Sequence, residues 1–213
     1  MTMSKPRLVI MVSGSGTNLQ ALLDAILTDD LTAVAVLVVS NKKSAYGLVR
    51  AQNAGIPTLY FPTTPFRQTA DSRAAYDRAL AQEIKQYQPD LIVLAGWMRI
   101  LTPHFLDQFP QQVINLHPAL PGQFAGTHAI ERAFEAFQQG QIQYSGCMVH
   151  YVIPEVDAGP VLVQAQVPLY ATDTLDDFAQ RMHATEHRII VEATAQALQT
   201  ASSQETKKSA SSF

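Results

Sequence analysis

The chain has 213 residues, of which 47% are hydrophobic and 15% are charged. This length fits one domain, and this composition supplies a sizeable core and excludes global disorder. The net charge of −3 and the pI of about 6.0 exclude the basic surplus that neutralises nucleic-acid phosphates. The one cysteine, Cys147, excludes an internal disulfide and a zinc site built from cysteines.

The first apolar stretch, residues 8–12, is too short for the core of a signal peptide or for a membrane span. A lone cysteine also fits a reducing compartment. We therefore expect a cytoplasmic protein with neither a membrane nor a nucleic acid as its partner.

Apolar runs alternate with amphipathic segments through the first half of the chain. The runs predict buried strands at residues 7–13, 31–40, 57–61 and 90–95. The amphipathic spacing predicts a helix from residue 18 and helices over 45–54 and 70–86. This alternation with short joins predicts the α/β class, with a doubly wound and mostly parallel sheet of Rossmann-like type.

The second half of the chain has a less regular pattern. It predicts a strand over 113–116, a helix over 129–138, and two strands over 145–153 and 161–169 that form a hairpin. A long final helix follows, capped by Asp173 or Thr174. Residues 200–213 are rich in serine and lysine, so we expect one catalytic domain over 1–199 and a disordered tail.

A glycine-rich turn, Ser13-Gly-Ser-Gly16-Thr17-Asn18, joins the first strand to the first helix. Glycines allow close approach of the backbone, and the helix N-terminus offers free N–H groups to an anion. The turn therefore suits a phosphate, although a plain tight turn capped by Thr17 or Asn18 fits equally well. It lacks the third glycine of a dinucleotide fingerprint and the lysine of a Walker loop.

Asn115 and His117 stand two residues apart at the end of a predicted strand, followed by Pro118. Residues at this spacing point to one face of the sheet, at the edge where α/β proteins bind ligands. An amide donor and a titratable imidazole in one place can stabilise an oxyanion and transfer a proton. The alternative is a polar strand end whose side chains bind a loop.

Asp157 lies in the connection between the two hairpin strands, downstream of His150. An aspartate beside a glycine is commonly a turn residue. It is alternatively a carboxylate that relays protons or orients a histidine. The spacing along the chain does not decide whether Asp157 reaches Asn115 and His117.

Taken together, these motifs resemble the folate-dependent phosphoribosylglycinamide formyltransferase family over about residues 7–199. Five blocks in a fixed order carry the resemblance: residues 13–20, 94–101, 114–118 and 155–161, and the pair Glu186-His187. The chain departs from the family pattern after His117-Pro118, where it continues with Ala119-Leu120-Pro121-Gly122. The shape of that loop is therefore expected to differ.

The resemblance implies a role for each matching position. It implies that Asn115, His117 and Asp157 are catalytic. It implies a substrate-binding set of Gly16, Thr17, Asn18, Arg73, Glu186 and His183, the last standing where other members often carry glutamine. It implies a folate-binding set of Trp97, Met98, Arg99, Ile100, Leu101, Pro154, Glu155, Val156 and Ala158.

The implied reaction is formyl transfer from 10-formyltetrahydrofolate, a cosubstrate consumed in each turnover, to the amine of glycinamide ribonucleotide. Asn115 and a protonated His117 would stabilise the oxyanion, and Asp157 would keep His117 charged and move the amine proton towards the folate. No metal and no permanently bound cofactor is required, and the chain is expected to be a monomer or a homodimer.

Three other functions compete with this hypothesis. Formyltetrahydrofolate hydrolases and methionyl-tRNA formyltransferases share the catalytic motif, but they carry an additional N-terminal or C-terminal domain. The early first strand and the short polar tail therefore favour a small phosphorylated acceptor. A non-catalytic sugar-phosphate binding module fits the glycine loop but gains little from a histidine and a carboxylate in the same cleft.

Overall fold

The structure is a computed structural model that describes residues 4–68 and 71–210, with side chains described as far as residue 201. The strands are β1 (Arg7–Val12), β2 (Val34–Ser40), β3 (Thr58–Tyr60), β4 (Leu91–Leu94), β5 (Val113–His117), β6 (Tyr144–Tyr151) and β7 (Val161–Pro168). The helices are α1 (Thr17–Leu27), α2 (Tyr46–Asn53), α3 (Ser72–Lys85), α4 (Pro103–Leu106), α5 (Ala129–Gln138) and α6 (Leu175–Ala210). A short 3-10 turn spans Thr64–Phe66.

The strands form one sheet in the order β3-β2-β1-β4-β5-β6-β7. The first five strands are parallel, whereas β5–β6 and β6–β7 pair antiparallel. The predicted doubly wound, mostly parallel sheet and its C-terminal hairpin are thus confirmed. The chain crosses from β3 back to β4, beside β1, so the carboxyl ends of β1, β4 and β5 share one edge, where such folds bind ligands.

The central strand β1 is buried on both faces because its side chains alternate between two cores. Leu8 and Ile10 face a core that includes Leu19 of α1 and Ile189 of α6. Val9 and Met11 face a second core that includes Tyr76 and Leu80 of α3. Helix layers on both faces therefore hold the sheet rigidly under its ligand-binding edge.

The ends of the helices differ in part from the sequence prediction. Thr17 and Asn18 are the first residues of α1, and the residue before them, Gly16, occupies the cap position in a left-handed conformation, so neither side chain is the cap. The short α4 and the 3-10 turn were not predicted, because a single turn has no measurable periodicity.

The final helix begins as predicted, with a reciprocal cap. The Asp177 amide donates to Thr174 Oγ1 (3.2 Å), and the Thr174 amide donates to Asp177 Oδ2 (2.9 Å). Asp173 instead binds Arg181 and the amide of Tyr170. The helix runs to Ala210, past the domain limit of residue 199 expected from the sequence; the disorder expected for 200–213 stays a prediction, and 211–213 lie outside the described residues.

Within the described ranges, no helix is both long and apolar enough to cross a membrane.

Candidate active site

The polar end of β5 meets the β6–β7 connection at the carboxyl edge of the sheet. Asp157 Oδ2 lies 3.4 Å from His117 Nδ1, and Asn115 Nδ2 donates to Asp157 Oδ1 at 3.4 Å. The structure therefore brings the amide, the imidazole and the carboxylate into one cluster. His117 Nε2 is buried and has no hydrogen-bond partner among the described residues, so it is the ring nitrogen left unpaired while Nδ1 faces Asp157.

The loop that carries Asp157 returns sharply to the sheet. Asp157 has a φ of 52°, a left-handed conformation that is uncommon for a residue with a side chain. The Tyr151 amide donates to the Pro160 carbonyl oxygen at 2.9 Å and closes the loop. A Cβ at Gly159 would collide with the Tyr151 carbonyl oxygen, so this return requires glycine. The loop geometry thus turns the Asp157 carboxylate towards β5.

His150, for which the sequence predicts no role, completes the cluster. It pairs directly with Asn115 across the antiparallel β5–β6 ladder. Its Nδ1 lies 2.9 Å from the Tyr151 carbonyl oxygen, which makes Nδ1 the protonated nitrogen. Its Nε2 lies 3.3 Å from Asn115 Nδ2 and 3.6 Å from Asp157 Oδ1. A histidine within an apolar strand was the signal, but only the strand register reveals its neighbours.

The pKa values of the two central groups are shifted in the same direction. Burial opposes ionisation of Asp157, but the contact with the His150 ring, the hydrogen bond from the Gly126 amide and the nearby His117 ring hold the pKa of this carboxyl below its ordinary value. Burial also lowers the pKa of His117, and this effect outweighs the opposing charge of Asp157. These two directions favour an ionised carboxylate beside a neutral imidazole in the site without substrates.

A cavity of about 490 Å³ opens above this cluster. Its floor is formed by Asn115, His117, His150 and Asp157. All five residues of the predicted folate segment line its wall, namely Trp97, Met98, Arg99, Ile100 and Leu101. Glu155 and Val156 line it as well, whereas Pro154 and Ala158 are not among its described lining residues. The exposed side chains of Met98 and Ile100 give the wall an apolar surface that suits a flat ring.

Two arginines flank this wall. The Arg99 guanidinium stacks over the Tyr76 ring at 4.6 Å from its centre. Arg73, predicted beside the substrate phosphate, also lines this cavity, and its Nη2 donates to the Ile100 carbonyl oxygen at 3.3 Å. The structure thus places both cations at the cavity that includes the folate segment.

Further residues of the cavity, with no role predicted from the sequence, come from the turn before α5 and its first residue. Gly126, Thr127, His128 and Ala129 line the cavity together with the folate segment. The turn follows the 119–122 departure, in which Ala119 and Leu120 are buried and Gly122 has a φ of 75°. The Gln123 amide donates to the Leu120 carbonyl oxygen at 3.0 Å, so this loop is a closed turn below the cavity-lining residues.

The glycine loop lies at the same sheet edge, after β1. Gly16 has a φ of 71°, and a Cβ there would lie 2.7 Å from the Gly47 Cα. Glycine is thus required both for the backbone conformation and for the contact with α2. The loop leads directly into Thr17 and Asn18, whose amides belong to the open first turn of α1 and suit an anion.

Ser13 joins the glycine loop to the cavity wall. Its hydroxyl donates to Asn41 Oδ1 at 2.7 Å and accepts from the Met98 amide at 2.9 Å. Its own amide donates to the Gly96 carbonyl oxygen at 2.9 Å. A single buried serine therefore holds the ends of β1, β2 and β4 together.

Replacing Ser13 with alanine should destabilise the fold, because it leaves the Met98 amide and the Asn41 side chain without this partner. We expect the free energy of unfolding to fall by about 1–3 kcal/mol, measured by urea denaturation. Ser15→Ala, at an exposed position of the same loop, is the matched control and should leave stability unchanged. Equal stability of Ser13→Ala and wild type would contradict the bridging role.

Glu186 of α6 connects the glycine loop to His183. Its Oε2 accepts from Asn18 Nδ2 at 3.1 Å and lies 3.2 Å from His183 Nδ1. The hydrogen bond from His183 to this buried carboxylate raises the pKa of His183. Asn18 Oδ1 is buried without a partner among the described residues. The predicted substrate-binding residues Asn18, Glu186 and His183 thus form one hydrogen-bonded group beside the anion-binding turn.

A doubly wound α/β fold with an amide, an imidazole and a carboxylate beside an anion-binding turn defines an enzyme that acts on small molecules. Residues 6–194 match the family model described as formyl transferase. The chain is 48% identical to the phosphoribosylglycinamide formyltransferase of Schizosaccharomyces pombe over 87% of this chain and 94% of that protein. It is 43% identical to the Escherichia coli enzyme of the same name, over 85% and 82% of the two chains.

Solved structures agree with these relatives. The glycinamide ribonucleotide transformylase 1 of Symbiobacterium toebii superposes with a TM-score of 0.84 at 37% identity, over 92% of this chain and 89% of that one. A segment of the Drosophila melanogaster protein named trifunctional purine biosynthetic protein adenosine-3 is 40% identical over 86% of this chain and 13% of that protein. The chain belongs to the phosphoribosylglycinamide formyltransferases of the formyl transferase family.

Proposed function

We propose that the protein transfers the formyl group of 10-formyltetrahydrofolate to the amine of glycinamide ribonucleotide, a step of purine biosynthesis. One observation carries this proposal: the cluster of Asn115, His117 and Asp157 forms the floor of a cavity whose wall holds the folate segment. The names of the relatives support the acceptor and the pathway. A cytoplasmic location and a monomeric or homodimeric state stay predictions.

The neutral His117 suggests how the acceptor is activated. An amine near neutral pH arrives largely as an ammonium ion, which is not a nucleophile. His117 Nδ1 faces the Asp157 carboxylate, so its buried Nε2 carries the lone pair that takes the ammonium proton. The product is a nucleophilic amine and an imidazolium that Asp157 stabilises.

The same imidazolium then serves the second step. The amine nitrogen bonds to the formyl carbon, and the carbonyl electron pair moves to oxygen. The proton now on His117 Nε2 and an Asn115 Nδ2 hydrogen stabilise this oxyanion. The resting contacts of Asn115 Nδ2, 3.3 Å to His150 Nε2 and 3.4 Å to Asp157, are long, so they yield readily to an anion.

Asp157 completes the transfer. Its ionised carboxylate takes the proton from the attacking nitrogen, through a water molecule, and passes it to N10 of the folate as the carbon–N10 bond breaks. The oxyanion collapses to the new formamide, and His117 releases its proton to solvent. The net products are the formylated acceptor, tetrahydrofolate and one proton.

The remaining contacts divide between acceptor and donor. Gly16, Thr17 and Asn18 would bind the acceptor phosphate at the start of α1, and Glu186 its ribose hydroxyls, with His183 orienting the Glu186 carboxylate. Trp97, Met98, Ile100 and Leu101 would receive the pteridine, together with the loop residues Pro154, Glu155, Val156 and Ala158. Arg73 and Arg99 would serve the donor, because both line the cavity and folate carries carboxylates.

The direct test incubates the protein with 10-formyltetrahydrofolate, with and without glycinamide ribonucleotide. Formylation of the ribonucleotide is followed by mass, and release of the folate product by absorbance. Folate release that depends on the acceptor supports the transferase. Release at an equal rate without the acceptor would indicate a hydrolase, and acceptor binding without turnover would indicate a binding module.

Replacing Glu186 with glutamine should weaken binding of the acceptor without slowing the chemical step. The change removes the negative charge that orders His183 and the ribose hydroxyls, and a charge-assisted hydrogen bond is stronger than a neutral one. We expect the acceptor KM to rise about tenfold with kcat within about twofold. Glu192→Gln, at an exposed position of the same helix, is the control; an equal loss of kcat would contradict this assignment.

A further inference from the structure

The peptide group between Ala125 and Gly126 links the catalytic carboxylate to an arginine outside the cavity. Its N–H donates to Asp157 Oδ2 at 2.8 Å, and its C=O accepts from Arg132 Nη2 at 3.0 Å. We propose that Arg132 is a positioning residue that holds Asp157 in its catalytic place through this single peptide group. The proposal rests on the proposed function for the meaning of Asp157 in catalysis, but not for the linkage itself.

Arg132 lies outside the catalytic cavity. It lies on the first turns of α5, and its guanidinium lies over the Phe124 ring at 5.7 Å from the ring centre. It borders a separate depression with Glu135 and Ala136, and it is not among the described residues that line the catalytic cavity. Gly126, on the other side of the same peptide, does line that cavity.

Among the described residues, the contact from Gly126 is the shortest one that the Asp157 carboxylate makes. The other contacts, to His117, Asn115 and His150, are 3.4, 3.4 and 3.6 Å long. The Gly126 amide binds Oδ2, the same oxygen that faces His117 Nδ1. This amide therefore determines where the carboxylate sits relative to the imidazole that it must stabilise.

A planar peptide transmits the constraint. Because the C=O and N–H of one peptide group lie in one plane, fixing the Ala125 oxygen also fixes the direction of the Gly126 hydrogen. A positively charged donor on the oxygen also polarises the N–H and strengthens its bond to the carboxylate. Both effects favour the ionised form of Asp157.

The turn needs such a tie because its backbone is unfavourable. Gly126 has a φ of 85° and His128 a φ of 58°, so two left-handed residues flank Thr127. A left-handed conformation is costly for a residue with a side chain such as His128. Without Arg132, this turn would relax towards ordinary conformations and carry the Gly126 amide away from Asp157.

The test titrates Asp157 directly, in the protein without substrates. The groups that face its carboxylate are His117 and Asn115 of β5, His150 of β6 and the Gly126 amide. In Arg132→Ala, the loss of an oriented amide donor should raise the pKa of Asp157 by about half a unit to one unit, followed by the 13C resonance of its carboxyl carbon. In the formyl-transfer assay, kcat of Arg132→Ala should fall about threefold to tenfold with the acceptor KM unchanged.

Three further variants decide the interpretation. Arg132→Lys keeps a charged donor and should restore most of the wild-type titration. Arg132→Gln keeps packing on Phe124 and a neutral donor; it should give an intermediate shift, and it replaces Arg132→Ala if that variant does not fold. Arg188→Ala removes an equal charge at an exposed position of α6 and should leave Asp157 unchanged.

Two results would overturn the proposal. One is an unshifted Asp157 titration in folded Arg132→Ala or Arg132→Gln. The other is an equal shift of the Asp157 pKa in Arg188→Ala, which would show that the effect comes from the net charge of the protein and not from the linkage. The titration needs no substrate. A wild-type protein that fails to transfer formyl groups would therefore contradict the proposed function, but the titration would still test the linkage.

Discussion

Replacing His117 with alanine should lower kcat by about 100-fold to 10,000-fold, the range that a positioned acid–base group contributes. The imidazole would be lost both as the base that frees the amine and as the donor to the oxyanion. Binding of the acceptor should persist within about threefold, because the groups proposed to bind its phosphate and ribose lie at the start of α1 and on α6. Single-turnover formylation, with acceptor affinity from calorimetry, measures the two effects separately.

His104→Ala is the matched control for this variant, since His104 lies exposed on α4. It should have wild-type kinetics. Turnover by His117→Ala within tenfold of wild type would reject His117 as the proton carrier. Loss of acceptor binding by His117→Ala would instead point to a binding role for this histidine.

The pH dependence of the wild-type enzyme follows from the same residue. The base must be neutral to accept the ammonium proton, and burial lowers the pKa of His117 below its ordinary value of 6.5. Activity should therefore remain constant as the pH falls to 6.5 and decrease only at lower pH, where His117 becomes protonated.

The sequence predicted the parts of this site that local rules control. The two-residue period of a strand places Asn115 and His117 on one face, and the strand–glycine–helix order places an anion-binding turn after β1. Both depend on residues close together in the chain. The same holds for the alternating strands and helices that gave the doubly wound sheet.

The rest depends on contacts between distant segments. His150 becomes a neighbour of Asn115 only through the antiparallel register of β5 and β6. The Gly126 amide reaches Asp157 across 31 residues of chain, and the turn that carries it and is tied to Arg132 has no periodic pattern. The direction of the His117 pKa shift also depends on distant segments, because burial is a property of the packed cavity and not of the motif.

Replacing Asp157 with asparagine should separate the role of the carboxylate charge from that of its shape. Asparagine has nearly the same size, and its oxygen still accepts from the Gly126 amide, so the 154–159 loop should keep its place. The negative charge beside His117 disappears, and with it the acceptor of the attacking nitrogen's proton. We expect kcat to fall by about 100-fold to 10,000-fold with the acceptor KM within about threefold.

The direction in which the pKa of His117 shifts in Asp157→Asn tests the mechanism further. Asp157 raises the pKa of His117 against the larger effect of burial, so removing its charge should lower the pKa of His117 still more. Titration of the His117 ring by NMR should therefore show protonation at a lower pH in Asp157→Asn than in wild type. Asp107→Asn, at an exposed position just after α4, supplies the control. A raised or unchanged pKa of His117 in Asp157→Asn would show that the two groups are not electrostatically coupled, and the proton route through this pair would then be wrong.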